Sequence, residues 1–340
     1  MKRFLSILSL ALALLAVTAC GQHSGKNLLP NVTGKAGEVI VVIDRESWEG
    51  AVGNELRELL SGDCPYLAQR EPMFNVANVP PANFTNLFKV HRNIVLVNID
   101  PQFQEPGVLY KRDEWSHPQA VVQVSAWDRN QAAELIRDNG ENIVEFIEQA
   151  ERDRIIANSI LYENVNLEEP VKQLTGGILH FPSGYKLKKQ TEDFLWIVDD
   201  KQFTSQDVLV FKYPAISEGN FDPEVLMGSI GDVLRENVPG MFENTWMITS
   251  EAVPVSLRSV SFKGLPFMEI RGFWEVYNDF MGGPFVAHAF YSPDGQDIEV
   301  LYAFVYAPKY DKRQYLRQVE SILYSFEWWD PATDVKNKKK

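Results

Sequence analysis

The chain has 340 residues, of which 45% are hydrophobic and 23% are charged, and its net charge at pH 7 is −13. A chain of this length and apolar content can bury two hydrophobic cores, so two domains are expected. The acidic excess argues against nucleic acid, and against an anionic membrane surface, as a partner.

The N-terminus has the layout of a secretory signal peptide over residues 1–19. Lys2 and Arg3 precede an apolar run, and residues 17–20 (VTAC) resemble the bacterial lipobox. That resemblance implies cleavage before Cys20 and acylation of this cysteine. The acyl chains would anchor the protein, because each buried CH₂ contributes about 0.8 kcal/mol. No later apolar run approaches the roughly 18 residues that a membrane-spanning helix requires.

Residues 20–36 are expected to form a flexible leash, because residues 22–30 are polar and contain Gly25 and Lys26. Gly21 stands where an inner-membrane retention signal has an aspartate, so an outer-membrane lipoprotein that faces the periplasm is expected. Without Lys2 and Arg3 the chain has 31 basic and 46 acidic residues, a net charge of −15. The predicted partners are the membrane, through the anchor, and an envelope protein or glycan, with no nucleic acid.

The pattern of residues 37–165 predicts a small α/β domain in which strands and helices alternate and which ends in a long helix. Asp128 should cap that last helix, whose apolar stripe continues through Asn139-Gly140. His91 and Arg92 open one strand, where they could bind an anion or a carboxylate, or satisfy neighbouring backbone groups. Strands are predicted at residues 38–44, 74–79, 93–99 and 120–126, and shorter helices at 54–60 and 83–89.

Residues 166–330 predict a second α/β-type domain, an antiparallel sheet covered by helices, before a basic tail at 331–340. The order of elements loosely resembles the α/β sandwich of the photosystem II extrinsic P protein. The predicted fold class is therefore α+β. Strands are expected at residues 194–198, 208–213, 246–249, 269–277, 285–291 and 298–307, and helices after Asp222 and over 311–325.

The stretch 268–291 contains the most distinctive candidate surface. It predicts two strands joined through an Asn278-Asp279 turn and a Gly282-Gly283-Pro284 corner, with a bulge at Gly272-Phe273 in the first strand. Glycine pairs beside aromatic residues sometimes let a ligand approach the backbone closely. The alternative interpretation is a tightly packed sheet corner without a ligand.

The first functional hypothesis is a non-enzymatic binding or assembly module tethered in the cell envelope. Arg271 would clamp a carboxylate or a peptide group, and Trp274 would supply stacking area. The candidate binding residues are Arg271, Trp274, Glu275, Asp279, Gly282, Gly283, Pro284, His91 and Arg92.

Two alternatives remain open. A hydrolase of envelope polymers could use Glu275 and Asp279 as acid and base, and in a scaffold protein the corner would only pack. No zinc-ligand spacing, Walker A motif or dinucleotide fingerprint occurs, so no metal, cofactor or catalytic residue is predicted. His288 is expected to be a core histidine, and Cys64 a half-buried structural thiol.

Four segments resemble a known protein family. They are GKAGEVIVVID at 34–44, HRNIVLV at 91–97, RGFWEVYNDFMGGPF at 271–285 and FVYAPKYDKRQYLRQ at 304–318. They are similar to the Bacteroidetes lipoprotein family known as domain of unknown function 4837, and the resemblance covers nearly all of the chain after Cys20. It implies an envelope location and no assigned activity, cofactor or catalytic residue.

Overall fold

The structure, a computed structural model, describes residues 28–216 and 218–331. The predicted signal peptide, the lipidation site Cys20 and nearly all of the predicted basic tail lie outside these residues. Eight α-helices and fifteen strands occur in the described residues, which confirms the α+β class. None of the helices in those two ranges is both long and apolar enough to cross a membrane.

The N-terminal domain is built on a five-stranded sheet. Its strands are β1 (Glu38–Val42), β2 (Asn75–Val79), β3 (Asn93–Ile99), β4 (Gly107–Arg112) and β5 (Ala120–Ala126). Their order is β2-β1-β3-β5-β4, and all are parallel to their neighbours except β4, which is antiparallel to β5. The four parallel strands lie where strands were predicted. β1, β3 and β5 have the continuous apolar runs typical of buried parallel strands, whereas the edge strand β2 is mostly exposed or half-buried. The edge strand β4 is half-exposed and lacks such a run.

Helices cover both faces of this sheet. They are α1 (Arg45–Glu49), α2 (Ala51–Ser61), α3 (Asn86–Lys89), α4 (Arg129–Asp138) and α5 (Gly140–Leu161). The Asp128 cap is confirmed, since its carboxylate accepts from the Gln131 amide at 3.0 Å. The single long helix predicted after Asp128 is wrong, because the chain turns at Asn139. There the side-chain amide donates to the Leu135 carbonyl at 2.8 Å, and a new helix begins at Gly140.

The C-terminal domain contains the remaining strands. They are β6 (Gly177–Ile178), β7 (Lys186–Gln190), β8 (Phe194–Lys201), β9 (Thr204–Pro214), β10 (Met247–Thr249), β11 (Ser256–Phe262), β12 (Leu265–Val276), β13 (Gly282–Tyr291), β14 (Asp297–Tyr306) and β15 (Glu327–Trp328). Eight of them form an antiparallel sheet in the order β10-β12-β13-β14-β9-β8-β7, with β11 paired to β12. β6 and β15 form a separate pair.

Helices cover the large sheet, as predicted, but there are three of them where two were expected, and they lie on both of its faces. They are α6 (Glu168–Thr175), α7 (Pro223–Asn237) and α8 (Arg313–Leu323). α6 and α8 pack on one face, where Val171 and Val319 join an apolar cluster with Leu301 of β14. α7 packs on the other, where Ile230 shares a second cluster with Phe211. Alternate residues of each strand therefore belong to different cores.

Two predictions about the glycine corner are wrong. There is no bulge at Gly272-Phe273, because both residues pair in unbroken register with β13. Gly282-Gly283-Pro284 also forms no corner, since these residues begin β13; the turn lies at 277–281, which confirms the predicted turn pair Asn278-Asp279. Asn278 has the positive φ of 60° there. Glycine is needed at Gly283 for space, because a Cβ would lie 2.1 Å from the Val305 carbonyl oxygen of β14.

The predicted leash packs on the N-terminal domain from Asn31 onward. Asn31 forms a bridge with His117, and Thr33 forms one with His91. The Thr33 amide donates to the Val90 carbonyl at 2.8 Å. The described chain therefore starts beside the entrance of β3.

Buried ion pairs join α5 of the first domain to α8 of the second. Arg152 lies 3.0 Å from Glu320, and Arg317 pairs with Glu148. Burial alone would lower the pKa of Arg317, but the neighbouring Glu148 carboxylate raises it. These contacts hold the two domains against each other.

Candidate functional site

Arg271 is engaged by carboxylates of the protein itself. Its Nη2 lies 3.0 Å from Glu269 Oε2 and 2.6 Å from Glu320 Oε1. Glu269 is only 2% exposed and also accepts from the Tyr324 hydroxyl at 2.6 Å. Burial alone would raise the pKa of Glu269, but the Arg271 guanidinium lowers it to about 2. The arginine predicted to clamp a ligand therefore stabilises a buried charge network.

Trp274 lies on the opposite face of β12 from Arg271, because side chains three positions apart in a strand point to opposite faces. It is 3% exposed, and its Nε1 donates to the Val305 carbonyl at 3.3 Å. Its ring packs edge-on against Phe304 with 5.1 Å between centroids. Arg271 and Trp274 consequently do not form a common binding surface.

The other corner residues are not brought into one concave site. Glu275 is half-buried and pairs with Gly282, while Gly283 and Pro284 are buried in β13. The Asp279 carboxylate accepts from the backbone amide of Phe280 at 2.7 Å. A ligand at the exposed turn around Asp279 stays a prediction.

His91 packs over the backbone of the N-terminal segment. Its Nδ1 lies 3.2 Å from the Asn93 carbonyl oxygen and its Nε2 lies 3.5 Å from the Glu38 carboxylate. A Cβ at position 34 would lie 2.3 Å from His91 Nε2, so a glycine there leaves the room that the imidazole ring occupies. Burial lowers the pKa of His91, which favours a neutral ring. His288 is a core residue too, and burial lowers its pKa to about 3.

Arg92 lines a cleft between the two domains, of about 380 Å³. One wall is formed by the start of β3 and by α5, and the other by β8, β9 and α8. Its polar side chains include Arg92, Arg154, Tyr185, Asp199, Lys201 and Gln206. Arg92 is the one residue of the predicted surface that reaches this cleft.

The arginine wall of the cleft carries an excess positive charge. Arg92 and Arg154 both bind Glu151, each at 2.9 Å, so one carboxylate faces two guanidinium groups. On the other wall Lys201 and Asp199 pair at 2.7 Å and compensate each other. Burial lowers the pKa of Arg154 to about 10, which leaves it charged at neutral pH.

Two buried polar atoms of residues that line the cleft have no hydrogen-bond partner among the residues that the structure describes. They are Arg92 Nε and the hydroxyl of Tyr185, a side chain that is 4% exposed. A buried polar group without a partner costs about 1–3 kcal/mol. Burial raises the pKa of Tyr185 well above its usual range, so its hydroxyl remains a neutral donor. Both residues line the cleft, which places two donors without an acceptor beside it.

Sequence reasoning missed most of this site. Arg154 lies inside a helix with no motif around it, and Tyr185 is marked only by the F-P-x-G-Y pattern at 181–185. In the two ranges that the structure describes, no group of His, Cys, Asp and Glu side chains is arranged to hold a metal ion. Burial raises the pKa of the Cys64 thiol to about 11, which makes it a poor nucleophile.

Structural comparison finds nine similar chains. One is a chain from Bacteroides thetaiotaomicron, with 10% identity over 46% of this chain and 47% of that chain and a TM-score of 0.26. Another is LpqN, a Mycobacterium tuberculosis protein involved in cell envelope biogenesis, with 13% identity over 43% of this chain and 79% of that chain and a TM-score of 0.26. A third is the human StarD13 lipid transfer and protein localization domain, with 12% identity over 42% of this chain and 89% of that chain and a TM-score of 0.21. The match spans about half of the first of these chains. No function is inferred from similarities this low. No curated protein sequence matches the chain.

Two family models match consecutive parts of the chain. Residues 164–325 match Domain of unknown function (DUF4837), and residues 32–159 match Domain of unknown function (DUF8532). The segments at 271–285 and 304–318 fall in the first match, which confirms the resemblance for the C-terminal domain. The segments at 34–44 and 91–97 fall in the second. The C-terminal domain therefore matches the DUF4837 family, and the part of the chain before it matches DUF8532.

Proposed function

We propose that this protein is a lipid-anchored, non-enzymatic binding module of the cell envelope, and that its interdomain cleft receives a small ligand with a carboxylate group. The observation that carries the proposal is the pair of unpartnered buried donors, Arg92 Nε and the Tyr185 hydroxyl, in a cleft with excess positive charge.

A carboxylate suits this cleft for two reasons. It accepts several hydrogen bonds at once, and its charge is favoured beside the two guanidinium groups that share Glu151. Clefts between domains are also common ligand sites. Since Arg92 and Tyr185 belong to different domains, a ligand held by both would bridge the domains.

Calorimetry with N-acetylated dipeptides that end in a free carboxylate, and with the same peptides as C-terminal amides, tests the proposal. Binding of the carboxylate form is expected, and Tyr185→Phe should weaken it about tenfold, which corresponds to the loss of roughly 1.4 kcal/mol. The amide form should bind more weakly than the carboxylate.

Tyr302→Phe is the matched control. Tyr302 is fully buried and its hydroxyl also has no partner, but it lies in the core under α7, away from the cleft. Its removal should leave peptide affinity unchanged. Equal affinity for acid and amide, no binding of either, or unchanged affinity in Tyr185→Phe would each contradict a carboxylate site.

The proposed location follows from Cys20 and the lipobox-like residues 17–20. The anchor would place the body at the periplasmic face of the outer membrane, where an envelope protein or glycan, and not nucleic acid, is the expected partner. At about 3.5 Å per residue, the chain from Cys20 to Asn31 spans at most roughly 38 Å. The cleft, next to Arg92 and Thr33, therefore lies close to the tether.

Metabolic labelling with an alkyne analogue of palmitate tests this anchor. The wild-type chain should take up the label and sediment with outer membranes, whereas Cys20→Ala should lose the label and leave the membrane fraction. A labelled Cys20→Ala chain, or a wild-type chain that sediments with inner membranes, would refute the proposed anchoring.

The hydrolase alternative gains no support from the structure. Glu275 lies within the β12–β13 pairing, and the Asp279 carboxylate binds the backbone of its own turn. Neither residue lines the interdomain cleft.

A further inference from the structure

A second crevice, of about 430 Å³, lies in the N-terminal domain at the carboxyl ends of β1, β3 and β5. β1 connects through α1 and α2 to β2 on one side, and the chain then crosses β1 to reach β3 on the other side. The carboxyl ends of β1 and β3 are therefore a topological switch point. Ligands of open α/β sheets bind at such points, because the diverging connections leave a gap there.

Trp127 lines this crevice and is 45% exposed. Its indole is held in position, because Nε1 donates to the Phe103 carbonyl at 2.7 Å. Its backbone amide donates to Gln131 Oε1, also at 2.7 Å. Trp127 thus offers a large, fixed and partly exposed apolar face, on which a flat or weakly polar ring can stack without ordering the side chain first.

The crevice is poorly suited to an anion. The amides at the starts of α1 and α4 are capped by the protein's own carboxylates, Asp44 accepting from Ser47 at 2.9 Å and Asp128 from Gln131 at 3.0 Å. Both aspartates line the crevice. A phosphate or a carboxylate would meet these negative charges, and one amide at the start of each helix is already bound by them.

The one cationic side chain that lines the crevice is already paired. Arg129 binds Glu46 through two hydrogen bonds of 2.8 Å, and its Nε donates to the Ser47 hydroxyl at 2.9 Å. What remains for a ligand is the half-exposed Asp44 carboxylate, the exposed Asp128 carboxylate, the Asn130 side-chain amide and the indole face. The carboxylate and amide oxygens can accept hydrogen bonds from hydroxyls, and the indole can cover an apolar ring face. A neutral sugar offers both hydroxyls and such a face.

We propose that the switch-point crevice binds a neutral sugar ring of a glycan, with the ring stacked on Trp127 and its hydroxyls donating to Asp44 and Asp128. This inference goes beyond the carboxylate cleft and does not depend on it. Tyr185→Phe should leave sugar binding unchanged, so a failure at one site is distinguishable from a failure at the other.

Saturation-transfer NMR and calorimetry on the chain from residue 21 onward, with cellobiose and N,N′-diacetylchitobiose as probes, test the inference. At least one disaccharide should bind, Trp127→Ala should weaken it at least tenfold, and Trp127→Phe should retain part of the affinity. Inorganic phosphate should neither bind nor displace the sugar.

The matched control is Phe280→Ala, which removes a fully exposed aromatic ring from the other domain. It should bind the sugar like the wild type, and near-ultraviolet circular dichroism should show that each variant keeps its fold. Binding of neither disaccharide, unchanged affinity in a folded Trp127→Ala, or displacement of the sugar by phosphate would each overturn the proposal.

Discussion

Replacement of Arg271 by alanine should lower the free energy of unfolding by about 3–5 kcal/mol, the usual loss when one partner of a buried ion pair is removed. Glu269 and Glu320 would then face each other in the interior without the guanidinium that separates them. Arg152 would still pair with Glu320, but it would not replace the contact that Arg271 makes with Glu269. Urea unfolding at pH 7, followed by circular dichroism, measures the effect.

Arg258→Ala is the control for this prediction. Arg258 also contacts Glu269, at 3.2 Å, but its side chain is 61% exposed and solvent weakens the pair. Its loss should therefore cost less than about 1 kcal/mol. Similar costs for the two variants would mean that the buried network contributes no more than a surface ion pair.

The contribution of Arg271 should also depend on pH. The pKa of Glu269 is about 2 in the folded chain, below its ordinary 4.5, so the folded state holds fewer protons than the unfolded state between these values. The stabilisation is then fully present above pH 4.5 and is lost as the pH falls towards 2. The stability difference between the wild type and Arg271→Ala should shrink over that window, and a constant difference would contradict this assignment.

Gly283→Ala should destabilise the protein by about 3 kcal/mol, near the upper end of what overpacking costs. The new Cβ would lie 2.1 Å from the Val305 carbonyl oxygen and 3.0 Å from Trp274 Nε1. The nearer atom belongs to the backbone of β14, so strands β13 and β14 would have to separate. Thermal and urea unfolding measure the loss.

Gly228→Ala provides the opposite control. Gly228 lies inside α7, and nothing lies within 4 Å of a Cβ added there, so alanine should stabilise the helix by about 0.5–1 kcal/mol. A Gly283→Ala variant as stable as the wild type would show that packing does not require this glycine. Its place in the sequence would then have to be explained by an approaching ligand.

The sequence alone determined the features that depend on neighbouring residues. β3 and β5 have the bounds that their apolar runs predict, and Asp128 caps the helix that its position predicts. These features form locally, because a buried strand needs a run of apolar side chains and a helix end needs an acceptor for its free amides. The α+β class follows from the order of such elements.

Only the tertiary structure decided what the distinctive residues do. The segment E-I-R-G-F-W at 269–274 is compatible with a binding surface and with a core. The residues that decide between the two lie far away in sequence, as Glu320 does, 49 positions after Arg271. Arg92 meets Tyr185 at a cleft only because α5 packs against α8. The crevice at Trp127 exists because β2 and β3 lie on opposite sides of β1. Burial and pairing between distant segments depend on the packing of the whole chain, and no local pattern encodes them.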